Sequence, residues 1–190
     1  MKQHILPAIK LTAICIVVFC GLYSLVILGI AQIAPNKGEG QTVSVDGKVK
    51  GYTLEGQSFT QDKYFYSRPS AAGYNAAGSS GSNKGPSNPD YLKDVKSRID
   101  TFLVHNPTVA KADIPSDLVT ASGSGLDPNI SVKGALIQVD RIAKERKIAP
   151  EKIKALVEQS VEKPLAGLFG TEKINVLALN IALDKLSNTQ

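Results

Sequence analysis

Histidine and cysteine are both scarce, with two of each in 190 residues. Cys15 and Cys20 fall inside one apolar run, so the rest of the chain holds no thiol and no disulfide is expected there. His4 precedes that run and leaves His105 alone beyond it, too few ligands for an ordinary zinc site. A lone histidine at a predicted helix end reads first as a C-terminal cap or dipole partner, and a Ser-His hydrolase site using Ser122 or Ser124 is the remote alternative. No Gly-Lys-Ser/Thr follows any glycine-rich stretch, which excludes the Walker-type phosphate loop. Asp62, Asp90, Asp94, Asp113, Asp117 and Asp127 are scattered without calcium-loop spacing. The formal charge of +5 falls to +3 once Lys2 and Lys10, which lie before the apolar run, are set aside. So mild an excess argues against a nucleic-acid partner.

From Leu11 to Ile33 the only polar side chains are Thr12, Ser24 and Gln32. As a helix this stretch is about 34 Å long, enough to cross a bilayer, and a helix is the form in which a lone span satisfies its own backbone. Gly29-Ile30-Ala31 has the small residues of a cleaved export signal, but the apolar region of such a signal runs roughly 7–15 residues. Phe19 before Cys20 and Ile14 before Cys15 are too large for lipoprotein processing. Lys2, Lys10 and the N-terminal amine outweigh Lys37 on the other flank, which favours a cytoplasmic N-terminus and an extracytoplasmic C-terminal part. The expected organisation is a cytoplasmic N-terminus at 1–10, a transmembrane helix at 11–33 in the cell inner membrane, and one soluble domain at 34–190. Gly21 and Gly29 lie near one face with Leu25 between them. With Ser24 they either let a partner's helix approach closely or are ordinary small residues of a span.

The soluble part, about 150 residues, is the size of a single domain. Gln41 to Tyr52 alternates around Asp46-Gly47, a strong two-residue turn signal, and predicts a β-hairpin. Tyr64-Phe65-Tyr66 predicts another short strand, and Leu118-Val119-Thr120 a further one. Residues 68–89 are dominated by Gly, Ser, Asn, Ala and Pro and read as a long loop, either a linker or a working surface. Asn88 as cap and Pro89 as first residue open a helix running to Val104, with Leu92, Val95, Ile99, Phe102 and Leu103 inward. Ser131 caps a second, with Leu136, Val139, Ile142 and Ala143 inward; Pro150 opens a third; Asn175 caps a last one carrying Val176, Leu179, Leu183 and Leu186. Strands in front and helices behind predict an α+β domain.

Two places carry candidate chemistry. The string Asp117 to Ser131, with Ser122, Gly123, Ser124 and Gly125 at its centre, has the short hydroxyls and glycines of an anion nest. The same residues equally make a tight connection whose side chains satisfy their own backbone. Arg68, between the aromatic segment and Pro69-Ser70, is placed to pin the long loop to carboxylates or carbonyls of another segment, with partner contact as the second reading.

Taken together, Tyr64-Phe65-Tyr66-Ser67-Arg68-Pro69-Ser70-Ala71, Gly85-Pro86-Ser87-Asn88-Pro89, the Asp117 to Ser131 string, Gln138 with Arg141-Ile142-Ala143, and Asn175-Val176-Leu177 leading through Leu179-Asn180 to Ala182-Leu183-Asp184 resemble, in order, the C-subunit family of the Kdp potassium-transporting ATPases. Asn129 and Val132 stand where that family's string has His and Pro, and Tyr52 and Glu55 depart from its pattern between Gly51 and Gln57. The resemblance implies a non-catalytic subunit of a bacterial potassium-uptake complex whose channel-like A subunit carries potassium, whose P-type B subunit hydrolyses ATP, and which includes a small F peptide. It implies a role in assembly of the A and B subunits or in covering the external potassium entrance. Partner contacts would then fall to Gly21, Ser24, Gly29, Arg68, Gly85 and Asn88. The alternative is a nucleotide-binding accessory that raises the ATP affinity of the B subunit, with Ser122, Gly123, Ser124, Gly125 and Gln138 near the nucleotide. No cofactor or metal is expected on this chain itself.

Overall fold

The structure is a computed structural model that describes residues 2–188 and divides into two compact units, Met1–Gln41 and Thr42–Gln190. In the first unit α1 (Lys2–Cys15), a π-helical stretch (Ile16–Leu22) and α2 (Tyr23–Ala31) run on without a break. Together they make one apolar helix, Gln3–Ala31, of 29 residues. It starts before Leu11, where composition alone opens the span, and stops just short of Ile33. Its apolar stretch is not buried against the chain. Beyond the end of α2 at Ala31, Asn36, Lys37 and Gly38 take left-handed conformations.

The second unit opens with the predicted hairpin, β1 (Thr42–Val45) antiparallel to β2 (Lys48–Tyr52), in which Val45 faces Lys48. Asp46 and Gly47 both have positive φ, at 52° and 72°, as the favoured two-residue turn requires. Asn88 accepts from the amides of Asp90 and Tyr91 at 3.0 and 3.1 Å and so starts α3 (Pro89–His105). Phe102 is buried on that helix and Leu92, expected inward, is exposed. A two-residue ladder pairs β3 (Asn129–Ile130) with β4 (Ile174–Asn175), and Asn175 Nδ2 donates to the carbonyl of Thr53, just past β2, at 2.7 Å. Around it lie α4 (Val132–Leu136), α5 (Val139–Arg146), α6 (Pro150–Gln159) and α7 (Val176–Asn188). The core gathers between them, with Phe65, Ile142, Ile153, Ile174, Leu179 and Leu183 sealed from solvent. The α+β class is therefore the observed one, with little sheet and much helix.

Three expectations fail for identifiable reasons. Tyr64-Phe65-Tyr66 belongs to no sheet: the Tyr64 amide closes a turn onto the Gln61 carbonyl, and side-chain amides take the place of a neighbouring strand for the two residues that follow. The Phe65 amide donates to Asn180 Oδ1 at 2.9 Å, Asn180 Nδ2 donates back to the Phe65 carbonyl at 3.0 Å, and the Tyr66 amide donates to Gln138 Oε1 at 2.8 Å. Leu118-Val119-Thr120 is not a strand either: Ser116–Leu118 forms a single helical turn, and the Thr120 amide and hydroxyl both donate to the Ser116 carbonyl. The helix from Ser131 breaks between Leu136 and Val139. Gln138 Nε2 donates to the Gly134 carbonyl at 2.9 Å, the acceptor its own backbone amide would use in a continuous helix, and that amide turns to Ala135 instead. Leu136, expected inward, is left exposed.

Candidate functional site

Residues 68–82 form a strap laid on the Gly/Ser string. The Ser122 amide donates to the Pro69 carbonyl at 3.1 Å, Ser70 Oγ to the Gly125 carbonyl at 2.6 Å, and Ser79 Oγ to the Ser124 carbonyl at 2.8 Å. Within the string Gly125 donates to Ser122 Oγ at 2.9 Å and Leu126 to Ser124 Oγ at 3.0 Å, so both serine hydroxyls bind their own backbone. Gly125 is obligatory here. Its φ is +70°, and a Cβ would come within 2.7 Å of the Ser80 carbonyl oxygen. Gly123 approaches the strap similarly, its carbonyl oxygen 3.0 Å from where a Cβ on Gly81 would stand.

Arg68 closes the strap with an ion pair from Nη1 to Asp127 Oδ2 at 2.9 Å, while the Asp127 Oδ1 accepts from the Asn129 amide. The Tyr74 hydroxyl donates to the Arg68 carbonyl, and burial pushes that phenol above its ordinary pKa. Beside the pair lies an open cleft of about 530 Å³ bordered by Arg68, Asp117, Asp127, Lys133, Glu172 and Lys173, where cations and carboxylates are evenly matched. Asp117 has its own task in it: its two oxygens accept from the amide and hydroxyl of Ser131 at 2.7 and 3.1 Å, orienting the cap of α4.

Gln138 lies apart from these contacts. It is fully buried, with Oε1 accepting from Tyr66 and Arg141 and Nε2 bonded to Gly134. Of the other residues singled out in the sequence, Gly85 is exposed and its carbonyl accepts from Asn88 just before α3. Gly21 and Gly29 belong to the first unit, where a Cβ at either would meet no atom within 4 Å, and Ser24 Oγ reaches the Phe19 carbonyl at 3.5 Å.

A second network went unnoticed in the sequence. Arg141, nearly buried, donates from Nε to Asn106 Oδ1 at 3.0 Å, from Nη1 to the carbonyls of Asp62 and Tyr64, and from Nη2 to Gln138 Oε1 at 2.7 Å. Its guanidinium stacks over the Tyr66 ring, 3.9 Å from the centroid. Desolvation lowers the Arg141 pKa from its ordinary value. Asp62 meets His105 Nδ1 at 2.8 Å and accepts from the Tyr66 hydroxyl. That hydroxyl, then His105 and Arg141, hold the Asp62 carboxyl below the usual carboxylate range against an opposing effect of burial. The same contact, after burial, pushes Tyr66 up to about 12. His105 thus ends α3 as expected, but its partner is a carboxylate from a distant segment. The available signal was a cation, Arg141, on the inward stripe of an otherwise apolar helix face.

Among the described residues no group of three or more His, Cys, Asp or Glu stands together as a metal cluster. What both networks do chemically is fix irregular backbone: side chains from α5, α7 and the string bind carbonyls and amides that no strand reaches.

Similarity to known proteins runs along nearly the whole chain. The family KdpC, described as K+-transporting ATPase, c chain, matches residues 5–185. The potassium-transporting ATPase KdpC subunit of Flavobacterium psychrophilum is 59% identical over 184 residues, covering 97% of this chain and 99% of that protein. The KdpC subunit of Flavobacterium johnsoniae is 55% identical over 184 residues with the same coverage, and that of Bacteroides fragilis 51% over 189 residues, with 98% and 99% covered.

Proposed function

Since the chain belongs to the KdpC family of K+-transporting ATPase c chains, we propose that it is a non-catalytic subunit of an ATP-driven potassium-uptake complex, acting through contact with the other subunits. The observation that carries this reading is the Gln3–Ala31 helix, which holds an apolar stretch long enough to cross a bilayer and unburied by its own chain. Such a surface is stable only in lipid or against other membrane helices. The small residues Gly21, Ser24 and Gly29 are where another helix can come close. Beyond the span, the strap and the Gly/Ser string turn their polar groups on each other, which makes a rigid surface suited to contact with the channel-like A subunit and the P-type ATPase B subunit. Lys2 and Lys10 keep the N-terminus in the cytoplasm, so the second unit lies outside the inner membrane, away from ATP. The rival nucleotide-binding role would require Gln138 to leave all three of its buried hydrogen bonds. Deleting the chain and purifying the complex through a tagged ATPase subunit tests the proposal. The A and B subunits are expected to separate in detergent, and an intact, active complex without this chain would refute it.

A further inference from the structure

Between α6 and β4 the chain leaves the core. Val157 and Ile174 are both sealed from solvent, whereas every residue from Leu165 to Lys173 is exposed. This excursion is a formed arm. Glu162 and Lys173 exchange backbone hydrogen bonds at 2.9 and 3.2 Å and pair through their side chains at 3.6 Å. Nearer the tip the amide of Leu165 donates to the Phe169 carbonyl at 3.1 Å, and that of Phe169 to the Leu165 carbonyl at 3.0 Å. Ala166, Gly167 and Gly170 take the positive φ values that bend it.

An ordered arm would ordinarily carry polar residues at its tip, but this one exposes Leu165, Leu168 and Phe169 by 77, 81 and 70%. Isolated apolar residues on a surface are commonplace; three on one short tip mark a contact site. The charges around it decide what the contact is. Glu162, Lys163, Glu172 and Lys173 balance, and one of each sign is paired, so the rim has no cationic excess to draw an anionic bilayer. An apolar centre within a neutral polar rim is the anatomy of a protein interface.

We propose that the 165–169 tip is a docking knob that seats in an apolar recess, rimmed by both signs of charge, on another subunit of the potassium-transporting complex. This inference rests on the subunit reading above. The test uses the full chain expressed with its complex, with a photo-crosslinking residue at position 168 and, separately, the double variant Leu168→Asp with Phe169→Asp. The expected results are a crosslink to another transporter subunit, identified by mass spectrometry, and at least about a tenfold fall in complex recovered with the double variant. Neither residue packs in the core, so the thermal melt of the double variant should match that of the parent. A chain that co-purifies with the complex but crosslinks at position 168 only to lipid or to a second copy of itself overturns the docking knob alone. A parent chain that co-purifies with no transporter subunit overturns the subunit reading.

Discussion

Asn180 does the work of a missing strand: its side-chain amide holds both the N–H and the C=O of Phe65, and all three groups are buried. Asn180→Ala leaves two backbone groups unpaired in the core and should cost about 3 kcal/mol, lowering the melting temperature of the detergent-solubilised chain by roughly 10 °C. A change within error would mean that water replaces the amide. Asp62 gives a test in acid. Its pKa is depressed in the fold, so its contribution to stability is complete above the ordinary carboxylate value, near pH 4, and is lost as pH falls through the depressed value. Asp62→Asn should flatten the dependence of stability on pH below about 4, measured by denaturant midpoints, and an unchanged slope would assign it to other carboxylates. These pairings were illegible in the sequence because each joins residues far apart in the chain, 115 positions for Phe65 and Asn180. Aromatic composition predicted a strand at Tyr64-Phe65-Tyr66 and could not say that side chains, not a strand, would satisfy that backbone.

At the level of elements, the features legible in the sequence are the local ones. The Asp46-Gly47 turn and the caps at Asn88, Ser131 and Asn175 each depend on a residue's own reach of two or three positions. Ser131→Ala should cost about 1 kcal/mol or more, since it removes both the cap of α4 and a hydrogen bond to Asp117. Equilibrium unfolding measures this. The break between α4 and α5 escaped notice because apolar spacing carries through Ile137 and Gln138; what ends the helix is a side-chain amide competing for the Gly134 carbonyl. The loop at 68–89 was legible as irregular and illegible as a strap, since its anchors are carbonyls of the string. Gly125→Ala should force the two apart, and limited proteolysis should then cut between Gly73 and Lys84 much faster than in the parent. Equal cleavage rates would show that the strap does not depend on that close approach.

For the whole molecule, the division into a lipid-suited helix and a self-satisfied polar domain follows from composition, because only a long apolar run supplies the first and only a mixed one the second. The family was legible in the ordered blocks from Tyr64 to Asp184, many of which turn out to be the parts of the two networks: Arg68 with Asp127, Gln138 with Arg141, Asn180 with Phe65. Spacing did not reveal which of these touch, and nothing in the composition around Leu165, Leu168 and Phe169 marks them as an exposed tip. The proposed role depends on the span holding the folded unit outside the cytoplasm, where it can act through contact with neighbouring subunits. The most direct measurement replaces Cys15 and Cys20 with serine, installs Lys154→Cys on the exposed face of α6, and treats whole cells with a membrane-impermeant maleimide. Labelling of intact cells is expected; labelling only after the membrane is permeabilised would put the domain beside ATP and overturn the proposed role.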